Sequence, residues 1–225
     1  MHGPAAELLL VFRQDLGIGR PLIAEAVGRP DLMSGRRSLT LAEGMTGMFE
    51  NTFLNLKNKS SAITAEVEVP QGGGNGAIIV QGGRFGGWAL YVNQGKPGFD
   101  YNFLGLMRFS VVSPKPLAAG KNVVQLNFKY DGGGLGKGGM ATLSVNGEQV
   151  AQGRVEHTQA MVFSADETAD VGVDLGTPVV EAIGAEAKSR FTGRIPKVTI
   201  ELRDVNPKAE ADVERGQKLA KQRME

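Results

Sequence analysis

The pattern of apolar positions near the N-terminus is helical. Leu8, Leu9, Phe12 and Leu16 recur at helical spacing, and Pro21 is placed to begin a second short helix. An apolar helical face has to be buried against something. Two interpretations stay open: the face packs on the rest of this chain, or it docks onto a neighbouring domain.

From residue 60 onward the apolar period changes to two, which is typical of half-buried strands. The clearest case is the segment 122–130, where Val124, Leu126 and Phe128 alternate with polar residues. The same alternation, or a short apolar run between turn residues, recurs at short intervals. It predicts strands over residues 63–69, 77–81, 88–92, 99–103, 107–111, 122–130, 141–145, 149–151, 160–164 and 197–203.

The turns between these segments predict antiparallel pairing. Asn146-Gly147 lies between two predicted strands and is a strong hairpin signal. Glycine is frequent, at 32 residues, and no predicted helix separates the strands. We therefore predict an all-β, two-sheet antiparallel sandwich of the jelly-roll or concanavalin A-like type. The expected divisions are a helical extension over 1–35, the sandwich over 36–205 and a charged tail over 206–225.

Composition excludes several kinds of chemistry. The chain has no cysteine, so disulfides, zinc–thiolate sites and cysteine nucleophiles are impossible, and only His2 and His157 provide imidazoles. The net charge of +1 gives no general attraction to nucleic acid or to an anionic membrane. No apolar run is long enough to span a membrane, and no secretory signal is recognisable. A cytoplasmic location is expected, unless an export signal lay on a longer parent chain.

Gly134, Gly136 and Gly139 have the spacing of a dinucleotide-binding motif, G-x-G-x-x-G. That motif requires a helix after the glycines, whereas a predicted strand follows here. A flexible hairpin loop is therefore the favoured interpretation.

An acidic stretch between the last two predicted strands is a candidate cation site. Four carboxylates this close repel one another unless a cation or a basic group compensates, and calcium accepts such irregular oxygen ligands. The alternative is a set of turn carboxylates paired with nearby arginines. The residues concerned are Asp166, Glu167, Asp170 and Asp174.

A second candidate site combines aromatic rings with hydrogen-bonding groups, as glycan sites do. Its members are Arg84, Trp88, Tyr101, Asn102 and Arg108. The alternative interpretation places Trp88, Tyr101 and the neighbouring Phe85 in the core. No stretch has the E-x-D-x-x-E spacing with which lectin-like sandwiches host a glycosidase acid pair.

Several strings resemble the C-terminal region of large bacterial arylsulfatases, and they occur in the order of that family. They are residues 55–60 (NLKNKS), 63–70 (ITAEVEVP), 81–88 (QGGRFGGW), 101–106 (YNFLGL), 130–139 (YDGGGLGKGG) and 163–172 (FSADETADVG). The resemblance covers roughly residues 30–203. It implies a jelly-roll-like domain that follows a catalytic domain in the parent enzymes.

The resemblance also implies sulfate-ester hydrolysis by a formylglycine, made from the cysteine of C-x-P-x-R and placed beside a calcium ion. None of this chemistry transfers, since the chain has no cysteine, and Ser113 is not followed by the x-P-x-R pattern. The first hypothesis is therefore a non-catalytic arylsulfatase-type domain that packs on a sulfatase catalytic domain or self-associates. The alternative is a lectin-like module that binds a glycan or a sulfated glycan. An independent hydrolase is the least favoured.

Overall fold

The structure is a computed structural model, and it describes residues 32–33, 35–164, 166–203 and 215. The predicted helical extension and charged tail lie almost entirely outside the described residues. Within the described part, no helix has the length and apolar character needed to cross a membrane.

The described chain is built from eleven strands and two short 3₁₀ helices. In chain order the strands are β1 (Ser38–Leu41), β2 (Ser60–Val69), β3 (Gly76–Gly83), β4 (Gly86–Asn93), β5 (Lys96–Phe103), β6 (Met107–Val112), β7 (Gly120–Tyr130), β8 (Gly139–Val145), β9 (Glu148–Val155), β10 (Ala169–Val171) and β11 (Arg194–Arg203). The 3₁₀ helices are Glu50–Thr52 and Glu186–Lys188. Strand pairing is antiparallel throughout these residues.

The strands form two sheets, which confirms the predicted fold class. One sheet has six strands in the order β1-β11-β2-β7-β8-β9, and the other has five in the order β10-β3-β4-β5-β6. The apolar side chains predicted from the alternation lie between the two sheets. Val124 and Leu126 of the six-stranded sheet and Trp88 and Leu90 of the five-stranded sheet belong to this single buried cluster.

A second, smaller apolar cluster covers part of the outer face of the five-stranded sheet. The segment between β10 and β11 crosses this face and buries Val179, Val180 and Ile183 against it. The sheet contributes Ala77, Val80, Ala89 and Tyr91. The outer face is therefore a covered surface near β3 and β4, while β6 at the sheet edge stays open to solvent.

The turn predictions hold, but one predicted strand is wrong. Asn146 and Gly147 have φ of 52° and 85° and join the paired residues Val145 and Glu148, as expected for a hairpin. The segment 160–164 is irregular, because side chains rather than a neighbouring strand take its backbone groups. Nδ2 of Asn58 donates to the carbonyl of Ala160, and Oε1 of Glu50 accepts from the N–H of Phe163.

Candidate functional site

Two hairpin turns meet at one end of the five-stranded sheet. Arg84 and Phe85 form the turn between β3 and β4, and residues 104–106 form the turn between β5 and β6. A Cβ atom on Gly105 would lie 3.1 Å from the carbonyl oxygen of Arg84, and Gly105 has a φ of +70°, so a larger residue here would crowd the first turn and strain the backbone. We call Arg84, Phe85, Leu104, Leu106 and Met107 the hairpin tip.

The buried side chain of Asn102 fastens the two turns together. Its Nδ2 donates to the carbonyl oxygens of Gly83 and Arg84, over 2.9 and 2.7 Å. Its Oδ1 accepts from the N–H of Gly105 at 3.0 Å. Asn102 is fully buried, so it positions the tip and does not reach a ligand itself.

A three-residue ion cluster lies beside the tip. The guanidinium of Arg84 donates two hydrogen bonds to the carboxylate of Glu181, with Nε–Oε1 and Nη2–Oε2 distances of 2.8 and 3.2 Å. Nη2 of Arg108 lies 3.6 Å from the same Oε1. The hydrogen bond from Arg84 lowers the pKa of Glu181, so its carboxylate stays charged. Two guanidinium groups therefore share one carboxylate at the surface.

A buried acid lies close to this cluster. Asp100 accepts a hydrogen bond from the hydroxyl of Tyr91 at 3.0 Å. Burial raises the pKa of Asp100, while its hydrogen bonds with Ser110 and Tyr91 and the charge of Arg108 oppose that rise. The buried groups next to Arg108 are therefore polar.

The hairpin tip exposes apolar side chains to an unusual degree. Phe85 is 72% exposed and Leu106 is 78% exposed, and Leu104 and Met107 are also exposed. Leu104 has φ of +56° in a turn closed by the Leu106 N–H and the Phe103 carbonyl. This left-handed backbone conformation costs an L-residue other than glycine roughly 1–2 kcal/mol. Strain of this kind clusters at functional sites.

Two residues of the predicted glycan site lie in the core. Trp88 is buried beside Phe53, and its Nε1 donates to Oε1 of Gln81 at 3.0 Å. Tyr101 is buried beside Phe163, and its hydroxyl accepts from the N–H of Gln159. Both rings line a cavity of only about 30 Å³ between the two sheets. Their burial agrees with the core interpretation, and ligand binding at these two rings stays a prediction. The alternative placed both rings in the core, as the structure does, but Phe85 of that set is exposed.

The structure thus brings Arg84 and Arg108 together at the surface, with Asn102 beneath them. Sequence reasoning missed Glu181, which is 97 positions from Arg84 and carries no local signal. The exposure of Phe85 has a signal in the sequence, because Phe85 stands in a turn flanked by glycines on both sides, between two strands. Turn residues at a hairpin end do not follow the alternation that buries a strand.

The acidic stretch is used for local hydrogen bonds. Oε1 of Glu167 accepts from the hydroxyl of Thr177 at 2.6 Å, and Oδ1 of Asp170 accepts from the N–H of Gly47 at 2.7 Å. Asp166 is exposed. In the described part of the chain, no group of three acids and histidines could hold a metal ion. A calcium site at these residues stays a prediction.

Asp174 is the most unusual acid of this stretch. It is fully buried, and its Oδ2 accepts from the N–H of Val179 at 2.9 Å. Its Oδ1 has no hydrogen-bond partner among the described residues. Burial, with the negative charges of Asp170, Glu167 and Glu181 adding to it, raises the pKa of Asp174 to about 7. This side chain changes charge near neutral pH.

The glycine motif lies in the loop between β7 and β8, as the hairpin interpretation predicts. The N–H of Gly136 donates to Oδ1 of Asn58 at 2.8 Å, and the carbonyl of Gly134 accepts from the hydroxyl of Tyr130. The loop is followed by a strand. It therefore lacks the helix that a dinucleotide site needs.

Comparisons with known proteins relate the chain to others by structure only. No protein-family model and no curated protein sequence matches it. The CBM40 domain of the Ruminococcus gnavus IT-sialidase, solved with α2,3-sialyllactose and without it, is similar at a TM-score of 0.50 and 15% identity. That match covers 80% of this chain and 97% of the CBM40 chain.

A second similarity is weaker. Domains LG4-5 of the mouse laminin α1 chain align at a TM-score of 0.42 and 16% identity, over 76% of this chain and 40% of that one. At 15% identity, the similarity to the CBM40 domain shows the fold alone. The chain has the two-sheet jelly-roll architecture of the CBM40 domain.

Proposed function

We propose that this chain is a non-catalytic glycan-binding module whose hairpin tip binds a sugar carrying a carboxylate or sulfate group. One observation carries the proposal. The exposed ring of Phe85 lies in the same turn as Arg84, whose guanidinium is gathered with that of Arg108 on a single carboxylate.

These groups match the two sides of an acidic sugar. The C–H face of a sugar ring is apolar and packs on an aromatic face, which Phe85 offers to solvent. Arginine binds carboxylate and sulfate-like groups in a fork geometry with charge-assisted hydrogen bonds. Arg84 and Arg108 provide two such forks on one surface.

Glu181 mimics the anionic group of the ligand. Its carboxylate occupies the position between the two guanidinium groups where the anionic group of a ligand would bind. Three residues carry two positive charges and one negative charge, which leaves a net positive surface for an anion. Exposed pairs of this kind contribute little to stability, so a ligand can displace Glu181 at small cost.

The fold is consistent with glycan binding. The Ruminococcus gnavus domain with the same architecture was solved bound to α2,3-sialyllactose, an acidic glycan. By contrast, the relation to arylsulfatases and the packing on a sulfatase catalytic domain find no support in the comparisons and stay predictions. The chain lacks the cysteine that a formylglycine requires, so hydrolysis by that route is not proposed.

A glycan array tests the proposal. The array carries sialylated, uronic acid and sulfated glycans beside their neutral parent sugars, and the labelled full chain is applied with and without Arg108→Ala. We expect wild type to bind acidic glycans above their neutral parents, and the variant to lose that signal. Lys129→Ala, an exposed change on the other sheet, serves as the control and should bind like wild type. An array with no acidic glycan bound would overturn the proposal.

A further inference from the structure

A large open depression lies at the other end of strand β4 from the hairpin tip. It has a volume of about 570 Å³ and is bounded by the loop between β2 and β3, the turn between β4 and β5, and Thr192. The tip precedes Gly86 and the depression begins at Asn93, so about 23 Å of strand separates them. The two surfaces are therefore distinct.

The lining of this depression is polar but uncharged. The amide side chains of Gln71, Asn75, Asn93 and Gln94 and the hydroxyl of Thr192 surround a run of three glycines. An amide offers two donors and an acceptor, which suits a hydroxyl group that both donates and accepts. No charged residue lines the depression in the described chain, so it has no counter-charge for an ionic ligand.

Most of these polar groups are free to bind a ligand. Within the described residues, the side-chain amides of Gln71, Asn93 and Gln94 make no hydrogen bond to another protein group. Oδ1 of Asn75 is engaged, because it accepts from the N–H of Gln94 at 3.0 Å. Three amide groups thus remain for recognition on one side of the sandwich.

The walls are held together by hydrogen bonds of backbone groups, one of them to a side chain. The N–H of Gly95 donates to the carbonyl of Gly74 at 3.1 Å, and the N–H of Asn75 donates to Oγ1 of Thr192 at 2.9 Å. The N–H of Thr192 in turn donates a hydrogen bond to the carbonyl of Asn75. These bonds already order the loops in the free protein, so ligand binding carries a smaller entropy cost for ordering them.

The backbone of Gln94 adds a second indication. Gln94 has φ of +51°, in a two-residue turn with Gly95 at +78°, where asparagine or glycine is the usual first residue. A longer residue in this left-handed conformation carries strain that glycine would avoid. Such strain is concentrated where a side chain serves a function.

We propose that this depression binds a neutral, hydroxyl-rich ligand, namely an uncharged sugar residue. Its volume lies within the roughly 300–1,000 Å³ range of small-molecule sites. The site is independent of the anion-binding surface at the hairpin tip. Either site can therefore fail without the other.

The test is a titration of the ¹⁵N-labelled full chain, followed by NMR, with galactose, glucose, mannose and N-acetylglucosamine in turn. We expect at least one of them to cause saturable shifts of the Asn93 and Gln94 side-chain amides and of Gly72–Gly74, with millimolar affinity. Arg84→Ala should leave these shifts unchanged.

Gln94→Gly provides the discriminating variant, because glycine keeps the turn and removes only the side-chain amide. Losing one neutral hydrogen bond should weaken binding about fivefold. Gln152→Ala, which removes an exposed amide on β9, should bind like wild type. The proposal is overturned if none of the four sugars gives saturable shifts, if the shifts fall only at the hairpin tip, or if Gln94→Gly binds as tightly as wild type.

Discussion

The buried amide of Asn102 donates a hydrogen bond to the carbonyl oxygen of Arg84 over 2.7 Å. This bond connects the core of the five-stranded sheet to the first residue of the exposed turn. Because the same side chain also holds Gly83 and Gly105, one residue sets the relative position of both hairpin turns. The geometry of the proposed site thus depends on a residue that no ligand touches.

Removing this amide should destabilise the fold. Asn102→Ala leaves the buried carbonyl oxygen of Gly83 and the half-buried Arg84 carbonyl and Gly105 N–H without their partner. The expected cost is about 2–4 kcal/mol in the free energy of unfolding. Urea denaturation measures it. Gln152→Ala removes an exposed hydrogen bond from the Gln152 side-chain amide to the hydroxyl of Thr142, and it should change the free energy of unfolding by less than about 0.5 kcal/mol. Equal effects of the two variants would contradict the positioning role.

The strain at Leu104 predicts a stabilising substitution. Leu104→Asn keeps a side chain but tolerates the left-handed conformation, so it should raise the free energy of unfolding by about 0.5–1 kcal/mol. Leu106→Asn makes the same chemical change in the same turn, without a positive φ to relieve, and should give no such gain. Thermal melts of both variants compare them directly.

Glu181 competes with an anionic ligand, so neutralising it should improve binding. Glu181→Gln removes the negative charge between Arg84 and Arg108 and should raise the affinity for acidic glycans about three- to tenfold. Glu201→Gln, which breaks an exposed pair with Arg203, is the matched control and should leave affinity unchanged. A loss of affinity in Glu181→Gln would mean that Glu181 binds the ligand itself.

The raised pKa of Asp174 makes stability depend on pH. The folded protein holds a proton on Asp174 up to about pH 7, whereas an unfolded aspartate releases it near pH 4. The stabilisation is complete below about pH 4 and is lost as the pH rises to about 7. The free energy of unfolding should therefore fall by up to about 1.4 kcal/mol per pH unit across this window.

Denaturation at several pH values with a neutral variant checks this. Asp174→Asn cannot titrate, so its stability curve should be flatter between about pH 4 and pH 7. Asp166→Asn, at an exposed position of the same loop, should keep the wild-type slope. A wild-type stability that does not fall relative to that of Asp174→Asn over this window would contradict the raised pKa of Asp174.

Much of the fold follows from the sequence because burial imposes a period of two on strands. The alternation of Val124 and Leu126 predicts β7, and Asn146-Gly147 predicts the hairpin between β8 and β9. β10 was missed, since a three-residue strand is too short to show a period. The apolar run over 160–164 predicts a strand, but only Phe163 of the segment is buried, and side chains bind its backbone.

The candidate site was harder to predict, because alternation does not say which face of a strand is covered. Trp88 and Arg108 both fit a glycan site by residue type, yet Trp88 points into the core and Arg108 to the surface. Glu181 arrives from a distant segment that the strand pattern does not describe. The contact between the two turns depends on Gly105, whose role is visible only in three dimensions.

The most direct test of the central claim compares two affinities for the acidic glycan that binds tightest on the array. One is the affinity of wild type, and the other is that of the double variant Arg84→Ala/Arg108→Ala. Calorimetric titration measures both, and both arginines are exposed enough that the variant should fold. Losing two charge-assisted contacts should weaken binding about fiftyfold or more. An affinity of the double variant within twofold of wild type would contradict the proposed site.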